Sequence, residues 1–507
     1  LLNYTGGYTH VAIGHNAFKG TSSGTHTGSY NVAVGGNALF NSTTGQQNNA
    51  IGYTALQANT TGINNDAHGH ASMLSNTTGG YNIAMGRASL DANTTGSNNV
   101  ALGPFALTKN TTAGNNVAVG YETLEENLTG TQNVAVGNNA LDNNTTGSFN
   151  TAVGHNCLGS NTDANYNTAI GISALATNST GTQNTGIGAE SLSSNTTASH
   201  NTAVGYQSLD NNTTGTSNVA VGRGALASNT TADSNTGVGR QALAANTTGA
   251  HNTAVGAFSL DANTTGNNNT AFGFQAQTGR NSGNDNTGIG AYCFNTTATG
   301  DSNTGVGKSA LHDCTSGHSN VAVGVNALFA TTSADNNVAV GIYAADSITT
   351  ASRCTAIGAQ ALAACTSGND NVAIGYQTAD ALTTGTSNVA IGISAMTAGT
   401  TARDNVVIGR SSGTSMTSAF RNTIIGFEAA TSLTSTQENV CIGSDSADEM
   451  TTGRYNTCVG NNSAHSLTTG QHNVFIGHAT VSAGGDEEKQ IVLGTDVTSQ
   501  GSYRFTF

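Results

Sequence analysis

Small and branched apolar residues recur along the chain in two short bursts, separated by runs of Asn, Thr and Gly, and the pattern returns every 17 residues. The phrase NVAVG at Asn116–Gly120 shows one burst, and GYTALQANTTGI at Gly52–Ile63 shows the other with the turn that follows it. The Gly that closes the first phrase stands at Gly35, Gly52, Gly69, Gly86, Gly103, Gly120 and Gly137 and then at every 17th residue through Gly494. One further copy, Gly14, lies 21 residues before Gly35, which predicts a four-residue insertion near Gly24–Gly28. With this Gly as position 0, the unit reads G-x-x-A-L-x-x-N-T-T-G-x-x-N-x-A-V, positions 0 to 16.

A 17-residue period is too short for helix-pair repeats or a propeller blade, and no helical apolar stripe is present. Val117–Ala118–Val119 predicts a three-residue strand, Ala55–Leu56 a second short one, and the NTTG and Asn-rich stretches predict turns. The fold class expected is all-β, a parallel β-solenoid or β-roll of about 29 coils with 17 residues per coil. At about 4.8 Å per coil it would make a rod of roughly 130 Å. Three segments are expected: an N-terminal coil with the insertion (1–34), the regular array (35–494), and a cap or junction (495–507) in which Tyr503–Phe507 alternates like an isolated strand.

Three rows of the repeat have a physical reading. The invariant Gly suits a sharp turn with φ above zero, or a close backbone approach to a neighbour. The second Gly, at Gly62, Gly79 and Gly96, gives way to Ala113, Ala164, Ala198 and Ala232, so it needs smallness and a negative φ. The Asn row at Asn48, Asn65, Asn99, Asn116 and Asn133 would stack from coil to coil and satisfy corner backbone groups. In Val117–Ala118–Val119 the two Val face one way and Ala the other. One side fills the coil's thin core, and a homo-oligomer wound about a shared axis would bury the Ala face; the alternative is a monomer whose interior that face lines. Position 1 varies widely and is expected to point outward, with Tyr53, Arg87, Tyr121, Arg223, Arg240 and Lys308 as candidate surface contacts.

Composition narrows the function classes. Only 8% of residues are charged, with 14 Lys+Arg against 28 Asp+Glu and no basic run, which argues against nucleic acid as a partner. No stretch of 18 apolar residues occurs, so no membrane insertion is expected in this segment. The single Pro and the absence of a three-residue Gly period exclude collagen. The chain opens on Leu1, already beside a repeat, and is expected to be a processed product or a fragment. Of seven Cys, Cys157 and Cys293 stand in Ala positions as small fillers, while Cys441 and Cys458 lie one period apart, where a disulfide is conceivable.

The phrases NxAVG and NxAIG followed by xxAL resemble the head repeats of trimeric autotransporter adhesins and the repeats of bacteriophage tail fibres, over nearly the whole chain. That resemblance implies a left-handed parallel β-roll, a homotrimer, and an extracellular, cell-surface or virion fibre. Val32–Gly35, Val117–Gly120 and Thr202–Gly205 would supply its inner strands. The unit is longer than the usual head repeat by its NTTG turn.

Candidate chemistry is sparse. Asn59, Asn76, Asn93, Asn110, Asn229, Asn246 and Asn263 are formal N-glycosylation acceptors, read here as turn residues. Thr60/Thr61, Thr77/Thr78 and Thr94/Thr95 form ladders like those of ice-binding solenoids, though the two Thr are adjacent rather than alternate. His68 and His70, presented by three chains about an axis, would offer six imidazoles to an octahedral transition-metal ion, the one cofactor considered. Glu122, Glu125 and Glu126 are the densest acidic patch before the C-terminal cluster, read as solvated rather than catalytic. The expectation is therefore no enzyme. The chain is expected to be a stiff fibre adhering to a cell-surface glycan or protein receptor through many weak contacts. The alternative is a purely structural spacer or filament subunit, and an ice-binding solenoid is a third reading.

Overall fold

A computed structural model of the chain describes residues 9–20, 26–279, 281–296 and 299–507. It is an all-β parallel solenoid of about 29 turns with 17-residue spacing, and no helix occurs among the described residues. Of the expected insertion, Gly24 lies outside the described residues, as does Leu1. The chain falls into two units, Leu1–His251 and Asn252–Phe507. The first contains strands β1 (Val11–Ile13) to β14 (Thr236–Val238), and the second β15 (Thr253–Val255) to β30 (Phe505–Thr506).

Within each unit every strand pairs in parallel with its copy one coil on. In the first unit Val117, Ala118 and Val119 stand opposite Val134, Ala135 and Val136. In the second, Val372, Ala373 and Ile374 stand opposite Val389, Ala390 and Ile391. Three residues suffice for a strand here because β-branched side chains flank a small one and each peptide is paired on both sides. Each strand stops at the position-0 Gly, whose φ lies between 129° and 149°. A Cβ on Gly120 would also stand 2.6 Å from the carbonyl oxygen of Gly137. Turn conformation and close approach therefore both require Gly at this position.

The second burst is not a strand. Residues 53–58 form turns, with Thr54 at φ 57° and Leu56 at φ 49°, and Asn64 at φ 54° adds a third left-handed non-Gly residue to the coil. Each such residue carries about 1–2 kcal/mol of strain. Hydrogen bonds between coils hold them in place: Thr54 N donates to Gly36 O at 2.9 Å, Leu56 N to Ser72 O at 3.0 Å and Asn64 N to Gln46 O at 3.0 Å. An apolar pair such as Ala55–Leu56 looks like strand because a left-handed Leu has no sequence signature. The tail differs as well, because Phe505–Thr506 is not isolated but pairs in parallel with Ile491–Val492, 14 residues earlier.

The core of each coil is Leu at position 4, Ala at positions 3 and 15, and Asn at positions 7 and 13, all buried, as Leu56, Ala55, Ala67, Asn59 and Asn65 show. In the second unit the volume moves: Ala345, Ala379, Ala430 and Ala447 replace Leu at position 4, while Ile348, Leu382, Leu433 and Met450 replace Asn three residues later.

Candidate functional site

The strand ladder has one inner and one outer face. Ala118 is fully buried, and Val117 and Val119 are half-buried and point outward. The expectation that the Ala face would be left for a partner is corrected: Ala lies inside because only a side chain of that size fits over Leu at position 4. The face left uncovered carries the β-branched pair. Position 14 is Val, Ile or Thr in every coil except at Asn49 and Asp66, and position 16 is apolar in every coil except at His68. Ile51 is 41% exposed, Met85 42% and Phe272 57%. Each unit thus carries an outward strip about 65 Å long and about 7 Å wide, from strand spacing and residue rise, in which an apolar row at position 16 runs beside a mixed Val, Ile and Thr row at position 14. Sequence reasoning missed this strip, although the coil-by-coil alignment of positions 14 and 16 holds its signal.

Amide, carboxylate and imidazole groups enter the strip at one place. Asn49 Nδ2 donates to Asp66 Oδ1 at 2.5 Å on the outward face, and His68 follows in the same strand as Asp66. His70, beyond Gly69, is exposed, and its ring stacks on Tyr53 with centroids 5.6 Å apart. No group of three His, Cys, Asp or Glu side chains able to hold a metal ion occurs among the described residues. A metal at His68 and His70 would need imidazoles from further copies.

Position 1 forms an exposed row beside this strip. Tyr53, Arg87, Tyr121, Arg223, Arg240 and Lys308 are all exposed. Arg87 lies over the ring of Phe105 at 5.5 Å, and that ring meets Tyr121 edge-on at 6.0 Å.

The buried amides tie coil to coil. Asn116 Oδ1 accepts the backbone N–H of Asn133 at 3.0 Å, and Asn116 Nδ2 donates to Gly130 O at 2.9 Å. Asn48, Asn65 and Asn99 repeat the pattern, with Nδ2 donating to Gly62 O at 2.8 Å, Gly79 O at 2.9 Å and Ala113 O at 2.9 Å. Asn133 Nδ2 donates likewise to Gly147 O at 2.9 Å. The formal glycosylation acceptors are buried as well: Asn76 Nδ2 donates to Asn59 Oδ1 at 2.9 Å and to Gly79 O at 3.0 Å. A glycan on that nitrogen has no room in the folded coil. Of each Thr pair, the first donates its hydroxyl to the next coil, as Thr60 Oγ1 does to Thr77 O at 3.1 Å, and only the second, as Thr61, is exposed. One hydroxyl row per coil is thereby withdrawn from any ice-facing lattice.

The acidic patch is held apart by its neighbours. Glu126 pairs with Lys109, and Glu122 accepts from Asn139 Nδ2 at 3.3 Å. Burial, with the charges of Glu122 and Glu126, pushes the Glu125 carboxyl up. All seven Cys are free thiols and buried; Cys441 and Cys458 face each other in register. Cys354 and Cys365 replace the two amides that elsewhere meet at the position-10 carbonyl, with Sγ atoms 3.2 and 3.5 Å from Gly368 O.

No helix among the described residues is long and apolar enough to cross a membrane. The chain matches no protein-family model and no curated protein.

Proposed function

We propose that the chain is one strand of a homotrimeric extracellular or virion fibre that attaches to a cell-surface glycan or protein through many weak contacts. The observation that carries this reading is the outward Val/Ile/Thr face. A monomeric soluble protein rarely exposes a contiguous apolar patch beyond a few hundred Å². The strip in each unit comes to about 450 Å². A second copy of the same chain fits best, because its own strip has the same length, repeat and chemistry, so a cyclic assembly closes on itself. Three copies with strips facing a shared axis would leave the position-1 row outside. That row varies along the chain, from Tyr53 and Arg87 to Ala189 and Phe274, which suits recognition by summed weak contacts.

A pure spacer uses the same assembly without the contacts. Cell attachment separates the two: removing whole 17-residue coils should lower attachment according to which outward residues those coils carry, not according to their number alone. Replacing Tyr53, Arg87 and Tyr121 together by Ser should lower it several-fold. Attachment that depends only on coil number would leave the spacer.

A further inference from the structure

The second unit carries a feature that the adhesive reading does not use. At position 11, one residue after the second Gly row, the coils from Ser97 to Thr386 hold only Gly, Ala, Ser, Thr, Asn or Asp, apart from His318. The next six coils change together to Arg403, Phe420, Gln437, Arg454, Gln471 and Glu488. Two residues earlier the side chains stay short, with Thr452 and Thr469 exposed. The long row therefore walls a groove of about 580 Å³ whose other side is hydroxyls. From Phe420 to Glu488 it runs about 19 Å across the coils.

The wall is pre-arranged. Arg454 Nε donates to Gln471 Oε1 at 2.7 Å, Gln471 Nε2 to Glu488 Oε1 at 3.3 Å, and Gln437 Nε2 to the Tyr455 hydroxyl at 2.8 Å. Tyr455, on the adjoining row, is 37% exposed and stacked on His472 with centroids 4.8 Å apart and planes within 4°. Arg403 lies over the Phe420 ring at 5.0 Å. Side chains fixed by their neighbours lose little freedom when a ligand arrives.

The chemistry of the lining selects the ligand. An added peptide strand needs unpaired backbone, and here it is paired: Phe420 bridges Arg403 and Gln437, and its N–H donates to Thr436 O at 2.9 Å. Asp486 and Glu488 at one end oppose a phosphate backbone. Planar amide, guanidinium and carboxylate groups in a line, with hydroxyls opposite and an aromatic ring at the rim, match a chain of hydroxyl pairs and apolar ring faces.

We propose that this groove binds an extended oligosaccharide laid across the coils, with Gln437, Arg454 and Gln471 hydrogen-bonding its hydroxyls. The proposal rests on the adhesive reading and gives it a site. The test is binding of the whole chain to an array of oligosaccharides of four or more units, with Gln437→Ala and Arg454→Ala beside Gln46→Ala, at the same position of a first-unit coil, as control. All three positions lie on the surface, and an unchanged solution mass checks the fold. The expected result is binding to at least one glycan class, weakened about tenfold or more by each groove variant and unchanged in Gln46→Ala. Binding that both groove variants leave intact overturns the groove and leaves adhesion standing. A silent array with cells still attached does the same, and a silent array without attachment overturns both.

Discussion

A Cβ placed on Gly413 would stand 2.6 Å from the Sδ of Met416, and one placed on Gly399 would stand 3.0 Å from the Cε of Met396. Positions 4 and 7 of a coil thus share one volume: Met396 faces Gly399 in one coil and Gly413 faces Met416 in the next. Where position 4 is Leu, position 7 is Asn through most of the first unit, and where position 4 shrinks, position 7 grows.

That exchange can be tested at Ala379 and Leu382, both buried. Ala379→Leu alone overpacks the coil and should cost about 1–3 kcal/mol. Leu382→Ala alone leaves a hole and should cost about 2–5 kcal/mol. The double variant conserves volume, so its loss in denaturant resistance should be smaller than that of Leu382→Ala. Strict additivity of the two losses would refute the shared volume.

The two Gly rows should respond differently to Ala. Gly120→Ala combines a disallowed φ of 142° with a contact to the Gly137 carbonyl and should cost roughly 2 kcal/mol or more. Gly96→Ala should cost less: a Cβ there would stand 2.3 Å from the Ala113 carbonyl oxygen, so the corner must shift, but its φ is not left-handed and Ala113 occupies that row in the following coil. Melting curves of the two variants give the order directly, and an equal loss would contradict it.

Asn116→Ala should be more damaging than Asn116→Cys. Alanine leaves the Asn133 N–H and the Gly130 carbonyl without their buried partner, at about 1–3 kcal/mol each. A thiol already fills this row at Cys354, where Sγ reaches Gly368 O at 3.2 Å. Hydrogen exchange at the Asn133 amide reports the loss locally.

Five aspartates of position 5, Asp91, Asp142, Asp261, Asp346 and Asp380, are half-buried, and burial pushes each carboxyl above the ordinary range. The folded state then holds protons that the unfolded state has released, so their contribution is fully present below the unfolded pKa and is lost as pH rises through the raised values. Asp91→Asn should therefore raise the melting temperature at pH 7 by more than it does at pH 3. A gain that grows on acidification would have the wrong sign.

Much of this fold was readable because Gly35, Gly52 and their copies never slip in register, so one coil predicts the next. What was not readable has specific physical causes. Val117–Ala118–Val119 alternates, but alternation does not say which face is inside; that is decided by Leu at position 4, which leaves room for Ala118 alone. Ala55–Leu56 looked like strand because left-handed Thr54 and Leu56 are held by partners in neighbouring coils rather than by their own preference. The groove row, Arg403 to Glu488, was legible in principle, since it is a change of side-chain length at a single aligned position. The exposure of Tyr53, Arg87 and Lys308 follows from their place after the turn.

The central claim is that the Val/Ile strip seats against further copies of the chain. Its most direct test is the solution mass of the native protein by light scattering, for the wild type and for a variant with Val136→Lys and Ile187→Lys in the strip. The account predicts about three times the 50.6 kDa chain for the wild type and a shift toward the single-chain mass for the variant. A wild type that scatters as one chain of 50.6 kDa would contradict it.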